Sequence, residues 1–257
     1  MTQATARPHP TRTLALLSLA ALAFSLAQTM LIPALGVLGG ELHTSTTGVT
    51  WTLTGYLLAA AVATPLFGRL GDMFGKRRML VVSLGIFAAG NLVSGLSGSI
   101  EGVVAGRVLQ GLGGGIFPLC FGVIRDEFPR ERVATGIGSI SAIFGIGGGL
   151  GLVGGGVLID QISYHWIFWI GAIMAVGAAV AIEIWVPESP VRRPGRVDWV
   201  GAALLAVGLV LPLLAISNAH QWGWTAGRTV GLIAIGLVVL AVWVAVELRV
   251  RQPLADV

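Results

Sequence analysis

Gly68-Arg-Leu-Gly-Asp-Met-Phe-Gly-Lys-Arg-Arg78 is a short polar interruption in an otherwise apolar stretch of chain. The runs on either side, Gly48 to Phe67 and Met79 to Ser99, contain no charged residue. A bilayer core about 30 Å thick is crossed by about 20 apolar residues rising about 1.5 Å each. Both runs are therefore expected to be membrane-spanning helices, joined by a tight basic turn.

Working outward, six more runs satisfy the same criterion: Thr13 to Leu38, Gly102 to Ile124, Val133 to Ile159, Trp166 to Val186, Trp199 to Asn218 and Thr229 to Val246. The composition agrees, since 55% of the 257 residues are hydrophobic and only 11% charged, against roughly 25% charged in soluble domains. The expected fold is an all-α integral membrane protein. Every Lys and Arg except Arg107 and Arg228 falls on one side if both termini are cytoplasmic, the bias that sets orientation in the inner membrane. The net charge of +4 thus points to lipid and orientation, not to nucleic acid. Trp51, Trp166 and Trp222 are expected at or near the outer ends of their spans, where amphipathic rings sit at headgroup level.

Pro187 to Asp198, PESPVRRPGRVD, has three prolines and a glycine that discourage helix continuation. It divides the chain into a cytoplasmic tail 1–12, a six-helix unit 13–186, a cytoplasmic linker 187–198, an additional helix pair 199–246 and a cytoplasmic segment 247–257.

Three stretches carry chemistry. In the opening segment, Gly68, Gly71 and Gly75 allow tight turns and close approach, while Asp72 sits among Arg69, Lys76, Arg77 and Arg78. In the fourth span, Arg107 cannot shed its charge and should face protein, water or a partner, unless it snorkels to the surface. Gln110 and Gly111 share its helical face. In the fifth span, Gly147, Gly151 and Gly155 recur at four-residue spacing with Gly156 beside them, a pattern that lets helices pack closely and bend.

The first stretch resembles the signature loop of the major facilitator superfamily, Gly-x-Leu-Ala/Gly-Asp-x-x-Gly-Arg/Lys-Arg/Lys. The resemblance implies a cytoplasmic gate comprising Gly68, Arg69, Gly71, Asp72, Gly75, Lys76 and Arg77; a plain positive-inside anchor is the alternative. Arg107-Val-Leu-Gln-Gly111 is similar to the superfamily's Arg-x-x-Gln-Gly motif, which implies a role in proton coupling or cavity lining for Arg107 and Gln110. The fifth span resembles the antiporter motif Gly-x-x-x-Gly-Pro-x-x-Gly-Gly of drug exporters, with Leu152 in place of proline. Ala27-Gln-Thr-Met-Leu-Ile-Pro-Ala-Leu35 is similar to the first span of fourteen-span exporters, but Ala27 replaces their common aspartate, and Gln28 can hydrogen-bond without titrating. Tyr164-His-Trp-Ile-Phe-Trp169 and the stretch ending Arg196-Val-Asp-Trp199 resemble other segments of the same exporters.

The resemblance implies the N-terminal half of a fourteen-span drug:proton antiporter, exporting drugs or other small amphipathic molecules, with protons, lipid and a missing C-terminal half or second copy as partners. A chain finishing at Val257 is expected to be a fragment or a short gene product. A metabolite exporter and a non-transporting membrane assembly protein or remnant are the alternative readings. No catalytic constellation, metal-ligand spacing or phosphate-cradling loop occurs, so no enzyme activity and no cofactor are expected. The lone cysteine, Cys120, sits in an apolar run and reads as packing.

Overall fold

A computed structural model describes residues 10–189 and 198–249. Most of the tail 1–12, the linker 187–198 and the segment 247–257 therefore lies outside the described residues. The helices are α1 Pro10–Thr29, α2 Leu31–Glu41, α3 Thr46–Phe74, α4 Lys76–Leu96, α5 Ile100–Leu112, α6 Ile116–Glu127, α7 Arg130–Gln161, α8 His165–Trp185, α9 Trp199–Trp222 and α10 Gly227–Glu247. With α1–α2 and α5–α6 each counted as one interrupted helix, 8 are long and apolar enough to cross a membrane.

Sequence chemistry accounts for the boundaries. Ser45, Ser99 and Asp198 accept hydrogen bonds from the amides of Gly48, Gly102 and Gly201, capping α3, α5 and α9. Gly75 and Gly223 end α3 and α9 at φ +107° and +92°, conformations that L side chains rarely adopt. The interruption after Thr29 precedes Pro33, whose missing N–H cannot bond back into α1. The interruption between α5 and α6 is the run Gly113-Gly-Gly115, followed by Pro118. Carbonyls at that break are met by hydroxyls from neighbouring helices: Ser83 donates to Gly113 O at 2.6 Å and Thr64 to Gly114 O at 3.3 Å. Such partners are required where water is excluded.

One expectation is corrected. The polar segment after the second span is not a loop: α3 continues through Gly68, Arg69, Gly71 and Asp72 to Phe74, and only Gly75 separates it from α4. Once the chain has left the bilayer core, nothing in Gly68–Phe74 breaks the backbone ladder, so the helix projects beyond the apolar run.

Helix α1 packs against α7 and α8, α4 against α5 and α8, and α3 against α5, whereas α9 and α10 form a hairpin resting on α3. The main core joins Leu17, Phe24, Leu80, Phe87, Leu119 and Ile182. Phe24 lies 5.2 Å from Phe87 and 5.4 Å from Phe117, centroid to centroid. Helices α7, α9 and α10 bury few of their residues within the bundle. Trp222 reaches the end of the bundle opposite the basic segments, where neighbouring Gln221 donates to Thr47 at 2.8 Å.

Candidate functional site

Arg107 is the largest fully buried side chain, at 0% exposure. It lies seven residues into α5, so about 10 Å below that helix's start, and the snorkelling alternative does not hold. Its Nε donates to Thr52 O at 3.2 Å, Nη1 to Gln110 Oε1 at 2.5 Å and Nη2 to Gln28 Oε1 at 3.3 Å. The guanidinium also sits 4.4 Å from the Tyr56 ring centroid, close enough for a cation–π contact. Gln110 is steadied in turn by donating to Ser94 Oγ at 3.5 Å. The three residues expected to act together are thus brought together by α1 and α5, with α3 adding Thr52 and Tyr56.

The site depends on close helix approach. A Cβ at Gly90 would lie 2.5 Å from Gln110 N and 2.6 Å from Gly106 O, so α4 meets α5 backbone to backbone beside the glutamine. Ala27, the position of the missing acid, is buried on a different side, where it and Asn91 close around Gly171 of α8. Among the described residues no salt bridge joins Arg107 to a carboxylate.

At the basic end the signature residues form a second network. Lys76 bridges Asp72 at 3.0 Å and Asp126 of α6 at 2.7 Å, and Asp126 also accepts from Ser189 Oγ at 2.5 Å. Glu188 accepts from the amides of Arg77 at 3.1 Å and Arg78 at 3.2 Å, supplying an anion to the start of α4. The Arg77 side chain reaches Glu183 O, Val186 O and the Glu183 carboxylate at 3.2–3.4 Å. Gly75 has a second reason to lack a side chain: its Cβ would fall 2.6 Å from the Glu188 carboxylate. Gly71 abuts Leu119, whereas Gly68 meets nothing within 4 Å. Arg69 carries a buried Nε without a partner among the described residues.

The glycines of α7 separate into two groups. Gly147 and Gly151 face Ser25 and Thr29 of α1 and Gly155 the Met30 backbone just beyond it, while Gly156 faces open space. Helix α7 is continuous through Leu152.

Residues 17–202 match the family model described as Major Facilitator Superfamily. The chain belongs to that superfamily. It is 32% identical over 250 residues to the tetracenomycin C resistance and export protein of Streptomyces glaucescens, covering 96% of this chain and 46% of that protein. Multidrug resistance protein 3 of Bacillus subtilis (strain 168) is 29% identical over 206 residues, covering 79% of this chain and 40% of that protein. The chain thus spans less than half the length of these curated relatives. Among solved structures, the peptide transporter POT in complex with sulfate superposes with a TM-score of 0.68 at 17% identity, over 95% of this chain and 53% of that one. The human organic anion transporter MFSD10 gives 0.61 at 19% identity, over 90% and 61%. At these identities the structural likeness speaks to the fold alone.

Sequence reading missed Thr52, Tyr56 and Ser94 around Arg107, and Asp126, Glu188 and Ser189 at the basic end. Ser94 and Tyr56 carried a usable signal, since polar groups inside apolar spans need partners. Glu188 lay inside a stretch read only as a helix-breaking linker.

Proposed function

We propose that this chain forms part of a proton-coupled exporter of small amphipathic molecules in the cytoplasmic membrane, with its basic end facing the cytoplasm. The observation carrying this reading is the Arg107–Gln28–Gln110 cluster, a polar site buried among membrane-spanning helices in a member of this superfamily. An intramembrane ionisable residue of this kind marks a substrate or ion pathway. The names of relatives, a tetracenomycin C resistance and export protein and a multidrug resistance protein, support export as the direction.

In this reading residues 13–186 supply one rocking half and 199–246 an additional helix pair, and alternating access requires a second half moving against the first. Lys76, bound to both Asp72 and Asp126, holds α3, α4 and α6 together at the cytoplasmic face, and Gly68, Arg69, Gly71, Gly75 and Arg77 complete the gate. Gly147, Gly151 and Gly155 let α7 slide and bend against α1. Described acids near the span ends, such as Asp72, Glu101, Asp126 and Glu183, do not reach the depth of Arg107. The coupling proton is therefore carried by an acid outside the described residues.

The test is accumulation of anionic, neutral and cationic fluorescent dyes in exporter-deficient cells. These cells express the chain alone, or with the remaining half of the Streptomyces glaucescens relative supplied as a second polypeptide, with and without a protonophore. Protonophore-sensitive efflux of any dye is the expected result. Accumulation equal to that of empty cells in both pairings refutes the reading.

A further inference from the structure

Arg107 has a full positive charge and, among the described residues, only neutral partners. Its acceptors are a backbone carbonyl and two side-chain amides, and its remaining neighbour is an aromatic face. A guanidinium offers five N–H donors, and three are used here. Buried cations are ordinarily paired with anions, because desolvation is otherwise poorly offset. The aspartate that similar exporters place in the first span would not serve, since position 27 is turned toward Asn91 and Gly171.

Access to this charge is one-sided. Arg107, Gln110, Thr52 and Tyr56 are buried, whereas Gln28 is partly exposed. Gln28 Oε1 accepts from Arg107, while its Nε2 donates to no described residue. A molecule arriving past Gln28 would find an amide donor in front and a guanidinium behind it, with the Tyr56 ring against the guanidinium. An amphipathic anion suits that arrangement, because charge-assisted bonds to guanidinium outweigh neutral ones.

Resting on the export reading above, we propose that the transported molecule is an amphipathic organic anion, whose carboxylate or ionised phenol displaces Gln28 from Arg107 and supplies the counter-charge that no described residue provides. Gln28 then acts as a neutral placeholder, keeping the guanidinium satisfied while the site is empty.

The experiment measures binding to the purified full chain in lipid nanodiscs of three matched probes: 2-naphthoate, 2-naphthamide and 2-naphthylmethylammonium. Naphthoate is expected to bind at least about tenfold more tightly than the amide, the factor from one charge-assisted bond, with the ammonium weakest. Arg107→Gln should equalise naphthoate and naphthamide. Gln28→Glu keeps the arginine and gives it an internal partner, so it should lose naphthoate selectively while retaining the amide, and should melt no lower than the parent. This second variant keeps the proposal falsifiable even where Arg107→Gln does not fold. Equal binding of naphthoate and amide by the parent chain, or anion preference that survives Gln28→Glu, overturns the proposal. Chloride is titrated against bound naphthoate: displacement at physiological chloride would make the site one for inorganic anions and overturn the proposal, and persistence supports it. Cellular export of the cationic dye alone would leave the export reading standing while refuting the anion inference. Naphthoate selectivity without efflux of any dye would do the reverse.

Discussion

Replacing Gly155 by alanine tests whether α7 and the α1–α2 joint at Met30 are held backbone to backbone. The new Cβ would lie 2.5 Å from Met30 O and 2.8 Å from Met30 Cα, where ordinary contacts begin at 3.4 Å, so the helices must separate by about 0.9 Å. Forced expansion of a packed interface costs about 1–3 kcal/mol, and alanine's helix propensity returns up to about 1 kcal/mol. The neighbouring Gly156→Ala variant gains the propensity without the clash, because its Cβ meets nothing within 4 Å. The two variants should therefore differ by about 1–3 kcal/mol, at about 2–4 °C per kcal/mol for a chain of this size. Melting in detergent, followed by circular dichroism and by labelling of fully buried Cys120, measures the difference. Gly155→Ala melting level with Gly156→Ala would refute the backbone-contact argument.

Three other outcomes are expected. Glu188→Ala removes the acceptor for the Arg77 and Arg78 amides and should cost about 1 kcal/mol, as a lost helix cap does, with faster hydrogen exchange confined to the first turn of α4; unchanged exchange there would exclude the capping role. Lys76→Met and Asp126→Asn, singly and combined, should show a coupling of about 1 kcal/mol, since both side chains are only 11% exposed; additive effects would mean that the 2.7 Å pair does not stabilise the fold. With Cys120 changed to alanine, a cysteine at His43 should react with a membrane-impermeant reagent applied to intact cells and one at Arg130 should not; the opposite pattern would invert the orientation.

The spans were legible because a membrane helix is written locally, in about 20 mostly apolar residues; the helix ends were not, because α3 runs on past the returning charge at Arg69 and Asp72 to Phe74. The interruption at Gly113–Gly115 is equally local, but its stability is not: Ser83 and Thr64, from two other helices, satisfy the freed carbonyls. Arg107, Gln110 and Gln28 could be named individually from sequence. Their meeting could not, because Gln28 and Arg107 are separated by 79 positions and only the packing of α1 against its neighbours sets the rotation that brings residue 28, rather than 27, toward α5. Glu188 was hidden for a different reason: a glutamate after a proline has no periodic context, and its role exists only once α8 has delivered it to the start of α4.

The joint between α3 and α4 is a single residue, Gly75. A one-residue elbow has no slack: when this end of α3 swings, α4 must be carried with it, like two arms of a bell crank. With Glu188 seated against the elbow, the segment following α8 also feels the movement. A tilt of α3 would thus be shared at once by α4 and by the residues that follow α8, and displacement would emerge amplified at the far ends of the long helices.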